Sequence, residues 1–85
     1  MSWKQLNLEN SVILDTETTG LDSDARICEI SIIDALSGDV LYSNLVSPLR
    51  SIPDDAQKIH GITDADVQSS PSFDYVWNEI KSILF

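Results

Sequence analysis

The 85-residue sequence predicts an α/β fold with its strands first and a packing helix last. Three features predict it. The first half holds three short runs rich in β-branched residues, a Ser-Gly-Asp turn signal separates the second run from the third, and the end carries an apolar stripe at helical spacing. The element order is β-β-β-α, and strands followed by helices are the pattern of a sheet covered by helices.

Residues 11–15 (SVILD) form an apolar run ending in an acid and read as a buried strand. Residues 16–24 are polar with a glycine and read as a loop. Residues 26–36 (RICEISIIDAL) read as a longer strand. Ser37, Gly38 and Asp39 are turn formers, and residues 40–46 (VLYSNLV) read as a third strand, so the second and third form a hairpin. Residues 47–54 carry two prolines and read as a loop. Pro53 suits the first turn of a helix, and Asp54 and Asp55 suit its positive end. That helix runs through Lys58 and stops near Gly61. Thr63 can cap a further helical turn, with Asp64 and Asp66 behind it, and Ser70 or Ser72 can cap the last helix. There Phe73, Val76, Trp77, Ile80, Ile83 and Leu84 fall on one continuous stripe, which needs a sheet to cover.

The length allows one small domain with a modest core. The formal net charge is −9, which is the wrong sign for a protein that coats nucleic acid unspecifically. It does not exclude an enzyme whose carboxylates hold divalent metal ions, because bound ions invert the local charge. The single cysteine, Cys28, excludes an internal disulfide and fits a reducing, cytoplasmic setting. The start, MSWKQLNLEN, has no apolar core of a signal peptide, and no apolar run approaches the roughly 20 residues that span a bilayer, so no membrane is expected.

The chemistry concentrates in Asp15-Thr16-Glu17-Thr18-Thr19-Gly20-Leu21, at the end of the first apolar run. In an extended chain, residues i and i+2 point to one side, so Asp15 and Glu17 present two carboxylates together. Like charges this close repel unless a cation sits between them. Hard oxygen ligands suit Mg²⁺ or Mn²⁺, and two such ions can activate water and stabilise a leaving oxygen in phosphodiester cleavage. Spacing alone is a weak signal, since acid pairs on solvated strand ends are common.

The whole string VILDTETTGLD resembles the first motif of the DEDD family, the DnaQ-like 3′→5′ exonucleases. Other stretches fall where that family has them: Arg26-Ile27-Cys28-Glu29-Ile30 in a second strand, Pro53-Asp54-Asp55-Ala56 followed by Ile59-His60-Gly61-Ile62-Thr63 in a substrate-side helix and the loop after it, and Ser70-Pro71-Ser72-Phe73 opening the next helix. The resemblance spans residues 11–84. It implies the N-terminal β-β-β-α portion of a ribonuclease-H-like fold, with residues 1–85 forming part of an exonuclease domain. It further implies that Asp15 and Glu17 are catalytic, metal-binding acids, that Thr18, Thr19, Gly20 and Leu21 lie along the terminal nucleotide, that Asp55 and His60 contact the strand near its 3′ end, and that Ile62 lies close to the terminal base. The implied ligands are Mg²⁺ or Mn²⁺, two ions in a complete domain, and the 3′ end of single-stranded DNA. The residues do not separate DNA from RNA. A DNA polymerase subunit as partner is implied by the family alone.

Several residues have plainer readings. Without the resemblance, a lone His before Gly reads as a loop residue or helix C-cap. Glu29 sits mid-strand, where a structural hydrogen bond is at least as natural as metal binding. Cys28 reads as a small strand residue, and Trp77 as a core residue; Trp3 could stack on a base. The family uses four carboxylates and a base histidine, and the third acid, the histidine and the fourth acid have no counterpart in this sequence. The abrupt apolar ending at Ile83, Leu84 and Phe85 reads as a chain cut short. The isolated chain is therefore expected to be inactive and poorly soluble, with a sheet edge and a face exposed. The alternatives are a fragment that binds nucleic acid or a partner without chemistry, and the remnant of a disrupted reading frame.

Overall fold

The computed structural model describes residues 11–85. Trp3 and the MSWKQLNLEN segment lie outside the described residues.

Three antiparallel strands, β1 (Val12–Thr18), β2 (Ile27–Asp34) and β3 (Val40–Leu45), form a sheet in the order β1-β2-β3. The helices α1 (Asp54–His60), α2 (Asp64–Val67) and α3 (Phe73–Leu84) follow. The first strand runs three residues further than the apolar run suggested. Thr16, Glu17 and Thr18 belong to it because β2 offers them partners at Ile30, Glu29 and Ile27. Pairing, which no local pattern shows, carries the polar end of β1 into the sheet.

The predicted hairpin forms between β2 and β3. Asp34 closes its turn: one carboxylate oxygen accepts from the backbone N–H groups of Leu36 and Ser37, both at 2.9 Å. These bonds hold the Asp34 carboxyl below its ordinary value of 3.8, the Ser37 amide contributing most. Gly38 takes the left-handed backbone (φ 79°) that the turn needs.

Two small cores lie on the two faces of the sheet. Ile30 and Ile32 share one face and pack with Val46 against Val76 and Ile80 of α3. On the other side Cys28 packs with Ile52, Ala56, Ile62 and Val67 from α1, α2 and their flanking loops, joined by Leu45. The switch between them comes from a β-bulge. Glu17 pairs with Glu29, but the next residue, Thr18, pairs with Ile27. Cys28 is therefore the extra residue on β2, and the alternation of faces resets there.

The helix caps follow the predicted chemistry with differences in detail. Thr63 and Asp66 make a reciprocal capping box on α2. Ser72 precedes α3, but its side chain makes no capping bond; instead Ser47 and Ser72 form a parallel bridge, with the Ser47 N–H donating to Pro71 O at 2.8 Å. The apolar stripe of α3 is only half covered. Val76 and Ile80 are buried, whereas Trp77, expected in the core, is 39% exposed. It stacks on Phe73 at 6.5 Å and meets Phe85 edge-on at 6.4 Å, so it packs along the helix and not into the sheet. Among the described residues β1 has no partner on its outer edge, and Val12, Ile13 and Leu14 are exposed. No helix there is long and apolar enough to cross a membrane.

Candidate active site

Asp15 and Glu17 pair across the ladder with Ser31 and Glu29. Ser31 and Glu29 alternate with Ile30 and Ile32, which face α3, so both acids stand on the opposite face, the one that carries α1 and α2. Two residues along a strand place their Cα atoms about 7 Å apart. Asp15 is exposed and Glu17 half-buried. Neither carboxylate has a basic partner or a hydrogen bond among the described residues. Glu29, directly opposite Glu17, also makes no side-chain hydrogen bond among the described residues, so neither that plainer reading nor a metal role is favoured by its contacts. Facing carboxylates repel unless a cation lies between them.

A groove of about 520 Å³ opens beside these acids. Its β1 wall is Thr16, Glu17, Thr18, Thr19, Gly20 and Leu21, and its α1 wall includes Asp55, Ala56, Ile59 and His60. The sequence-predicted residues thus separate into two groups. Glu17, Thr18, Thr19, Gly20, Leu21, Asp55 and His60 meet in one groove, and Asp15 stands one strand repeat from Glu17 on the same face. Ile62 does not reach it; its side chain is buried in the core with Cys28 and Ala56.

Within the groove the residues differ in what they leave free. Thr19 is buried and spends its hydroxyl on the chain, accepting from Arg26 N–H at 3.0 Å. The Thr18 hydroxyl donates to Gly20 O at 2.8 Å, closing the turn after β1. Leu21 is fully exposed at the rim, and a methyl added at Gly20 would meet no atom within 4 Å, so the backbone there is open to approach. Gly61 (φ 75°) ends α1 in the left-handed conformation, which turns His60 back toward β1. His60 Nδ1 accepts from Ile62 N–H at 3.0 Å, so the ring proton sits on Nε2, which donates to Thr18 O at 3.0 Å. The Cys28 thiol donates to Glu17 O at 3.4 Å. Burial pushes the Cys28 thiol up from its ordinary value, and the negative charges of Glu17 and Glu29 add to this, so it is a neutral donor and no nucleophile.

Ile59, part of the family-like stretch but given no site role by the sequence, is exposed on the α1 wall. Its signal was available: it follows Asp55 by four residues and precedes His60, on the same helix face. Asp64 was read only as a helix-start acid, yet it accepts from Ile52 N–H at 2.8 Å and ties the loop before α1 to α2.

The exonuclease family RNase_T matches residues 12–85. The chain belongs to this family. It is 40% identical over 77 residues to an uncharacterised exonuclease of Escherichia phage 186, covering 91% of this chain and 39% of that protein. It is 38% identical over 76 residues to the DNA polymerase III subunit epsilon of Buchnera aphidicola, covering 79% of this chain and 33% of the subunit. Among solved structures, exonuclease X in complex with 5′-overhanging duplex DNA superposes with a TM-score of 0.68 at 38% identity, over 80% of this chain and 41% of that one. A 3′-exonuclease that recognises the histone mRNA stem-loop superposes equally well (TM-score 0.68) over 94% of this chain and 33% of its own, but at 19% identity it shows the fold alone. The fold is thus the N-terminal part of the ribonuclease-H-like exonuclease architecture. The chain spans about two fifths of the length of the first relatives it matches.

Proposed function

We propose that this chain is the first-strand and substrate-side portion of a 3′→5′ exonuclease domain that hydrolyses the 3′-terminal phosphodiester of DNA. The observation that carries this reading is the placement of Asp15 and Glu17 on one sheet face, beside an open groove and without a basic partner among the described residues.

Asp15 and Glu17 are hard, anionic oxygen donors and fit Mg²⁺ or Mn²⁺. Among the described residues no group of three or more His, Cys, Asp or Glu side chains is placed to share an ion. The described residues therefore offer two ligands and not a cage. When bound, divalent ions supply the charge that activates water and stabilises the leaving 3′-oxygen. The chain's own residues do the rest. Thr18, Thr19, Gly20 and Leu21 form the floor and rim along which the terminal nucleotide lies. Leu21 and Ile59 offer apolar contact on opposite walls. Asp55 and His60 border the strand end from α1. Ile62 supports this wall from the core.

In this reading the 85 residues bind a single-stranded 3′ end weakly and do not cleave it, because two carboxylates cannot hold a full two-ion centre. The epsilon-subunit relatives support a DNA polymerase subunit as the protein partner of the domain and a cytoplasmic setting for it. The test is incubation of the purified chain with 3′-labelled single-stranded DNA and Mg²⁺ or Mn²⁺. The expected result is retention without mononucleotide release. Degradation that disappears in Asp15→Ala would refute the inactivity of the isolated chain while supporting the nuclease reading. A chain that neither retains nor degrades the labelled strand would overturn the substrate assignment itself.

A further inference from the structure

We propose that Cys28 and His60 are positioning residues for Glu17: they pin the end of β1 that carries it, opposite the β-bulge of β2, and His60 does so with both ring nitrogens already committed within the chain. The inference deepens the nuclease reading and rests on it for the role of Glu17, but the pins themselves are a matter of geometry.

Four observations meet at one point. The bulge falls between Glu17 and Thr18, with Cys28 as the extra residue opposite. The Cys28 thiol donates to Glu17 O at 3.4 Å, and His60 Nε2 donates to Thr18 O at 3.0 Å. The two donors lie 3.8 Å apart, so they act on neighbouring carbonyls from a single spot. Cys28 is fully buried, and the left-handed Gly61 holds the His60 ring through its Nδ1 bond to Ile62 N–H.

Physically, a bulge interrupts the ladder and leaves a local choice of peptide-plane orientation. Fixing the carbonyls of residues 17 and 18 fixes both peptide planes that follow Glu17. That sets the direction of its Cα–Cβ bond beside Asp15. Such support matters most where a carboxylate faces another, as Glu17 faces Glu29. The arrangement also assigns His60 a contact with a nucleotide through its ring face or edge only, since neither nitrogen is free to bond to one.

Two variants separate positioning from general stability. His60→Gln keeps an N–H where Nε2 was, able to reach Thr18 O, and loses the acceptor for Ile62. His60→Asn keeps an acceptor where Nδ1 was and cannot reach Thr18 O. Each loses one bond, so their melting temperatures are expected to fall equally. On the isotope-labelled 85-residue chain, ring nitrogen shifts are expected to show the Nε2–H tautomer of His60. Side-chain couplings of Glu17 are expected to show one rotamer in the wild type and His60→Gln, and averaging in His60→Asn and Cys28→Ala. Mn²⁺ titration is then expected to be about tenfold weaker for His60→Asn than for His60→Gln. An Nδ1–H tautomer, or identical Glu17 couplings in the two His60 variants, would overturn the proposal. Wild-type chain that shows the tautomer and the single rotamer but no Mn²⁺ effect at Glu17 would support the pins and sink the nuclease reading instead.

Discussion

Replacing Gly61 by alanine isolates the turn on which the α1 wall of the groove depends. Gly61 sits at φ 75°, ψ 4°, and its N–H donates to Gln57 O at 2.7 Å to end α1. A Cβ added there would meet no atom within 4 Å, so no clash contributes. What remains is the left-handed backbone, which costs a residue with a Cβ roughly 1–2 kcal/mol. Alanine also restricts the unfolded chain, which returns about 0.4–1 kcal/mol. The expected net loss is about 1 kcal/mol, or about 4–8 °C in melting temperature for a domain of this size. Thermal unfolding followed by circular dichroism measures it. Gly20→Ala is the control: Gly20 is absent from the positive-φ positions and its Cβ space is equally open, so the change should stay within about 0.5 kcal/mol. A Gly61→Ala chain that melts at or above the wild-type temperature would refute the left-handed cap and, with it, the orientation given to His60.

Ile80→Ala should destabilise by about 2–5 kcal/mol in urea titration, because Ile80 is 1% exposed between α3 and the sheet. Ile62→Ala should likewise lower stability, measured by the same titration, as expected for a core residue and not for a side chain whose only role is to touch a base. Acidification should weaken the β2–β3 turn. The folded Asp34 carboxyl lies below its ordinary value of 3.8, so its contribution is present above that value and is lost as pH falls through the lower, folded one. Asp34→Asn should flatten that part of the pH–stability profile, below the ordinary value of 3.8.

The acid pair was legible in the sequence because strand alternation alone fixes which side residues 15 and 17 share. The hairpin was legible because Ser37, Gly38 and Asp39 mark its turn. The end of β1 was not: Thr16 and Thr18 read as loop, and only their partners on β2 make them strand. The bulge at Cys28 was invisible for the same reason, and with it the switch of Cys28 to the α1–α2 core. Ile62 lies in the core beneath the groove, and Trp77 lies on the outside of α3. The first faces inward because Gly61 turns the chain under α1, and the second stays out because the face α3 turns to the sheet is that of Val76, Ile80 and Leu84. The bond from His60 to Thr18 joins residues 42 apart in sequence, a contact no local pattern encodes.

Manganese relaxation in solution tests most directly whether Asp15 and Glu17 exist to hold a divalent ion. Titrating Mn²⁺ into the labelled chain should broaden signals first around Asp15, Glu17 and the facing Glu29, ahead of the other acids of this chain of net charge −9. The double variant Asp15→Asn, Glu17→Gln should abolish that focus and leave only weak, scattered broadening. Broadening spread evenly over the surface acids of the wild type, or a focus that survives the double variant, would contradict it.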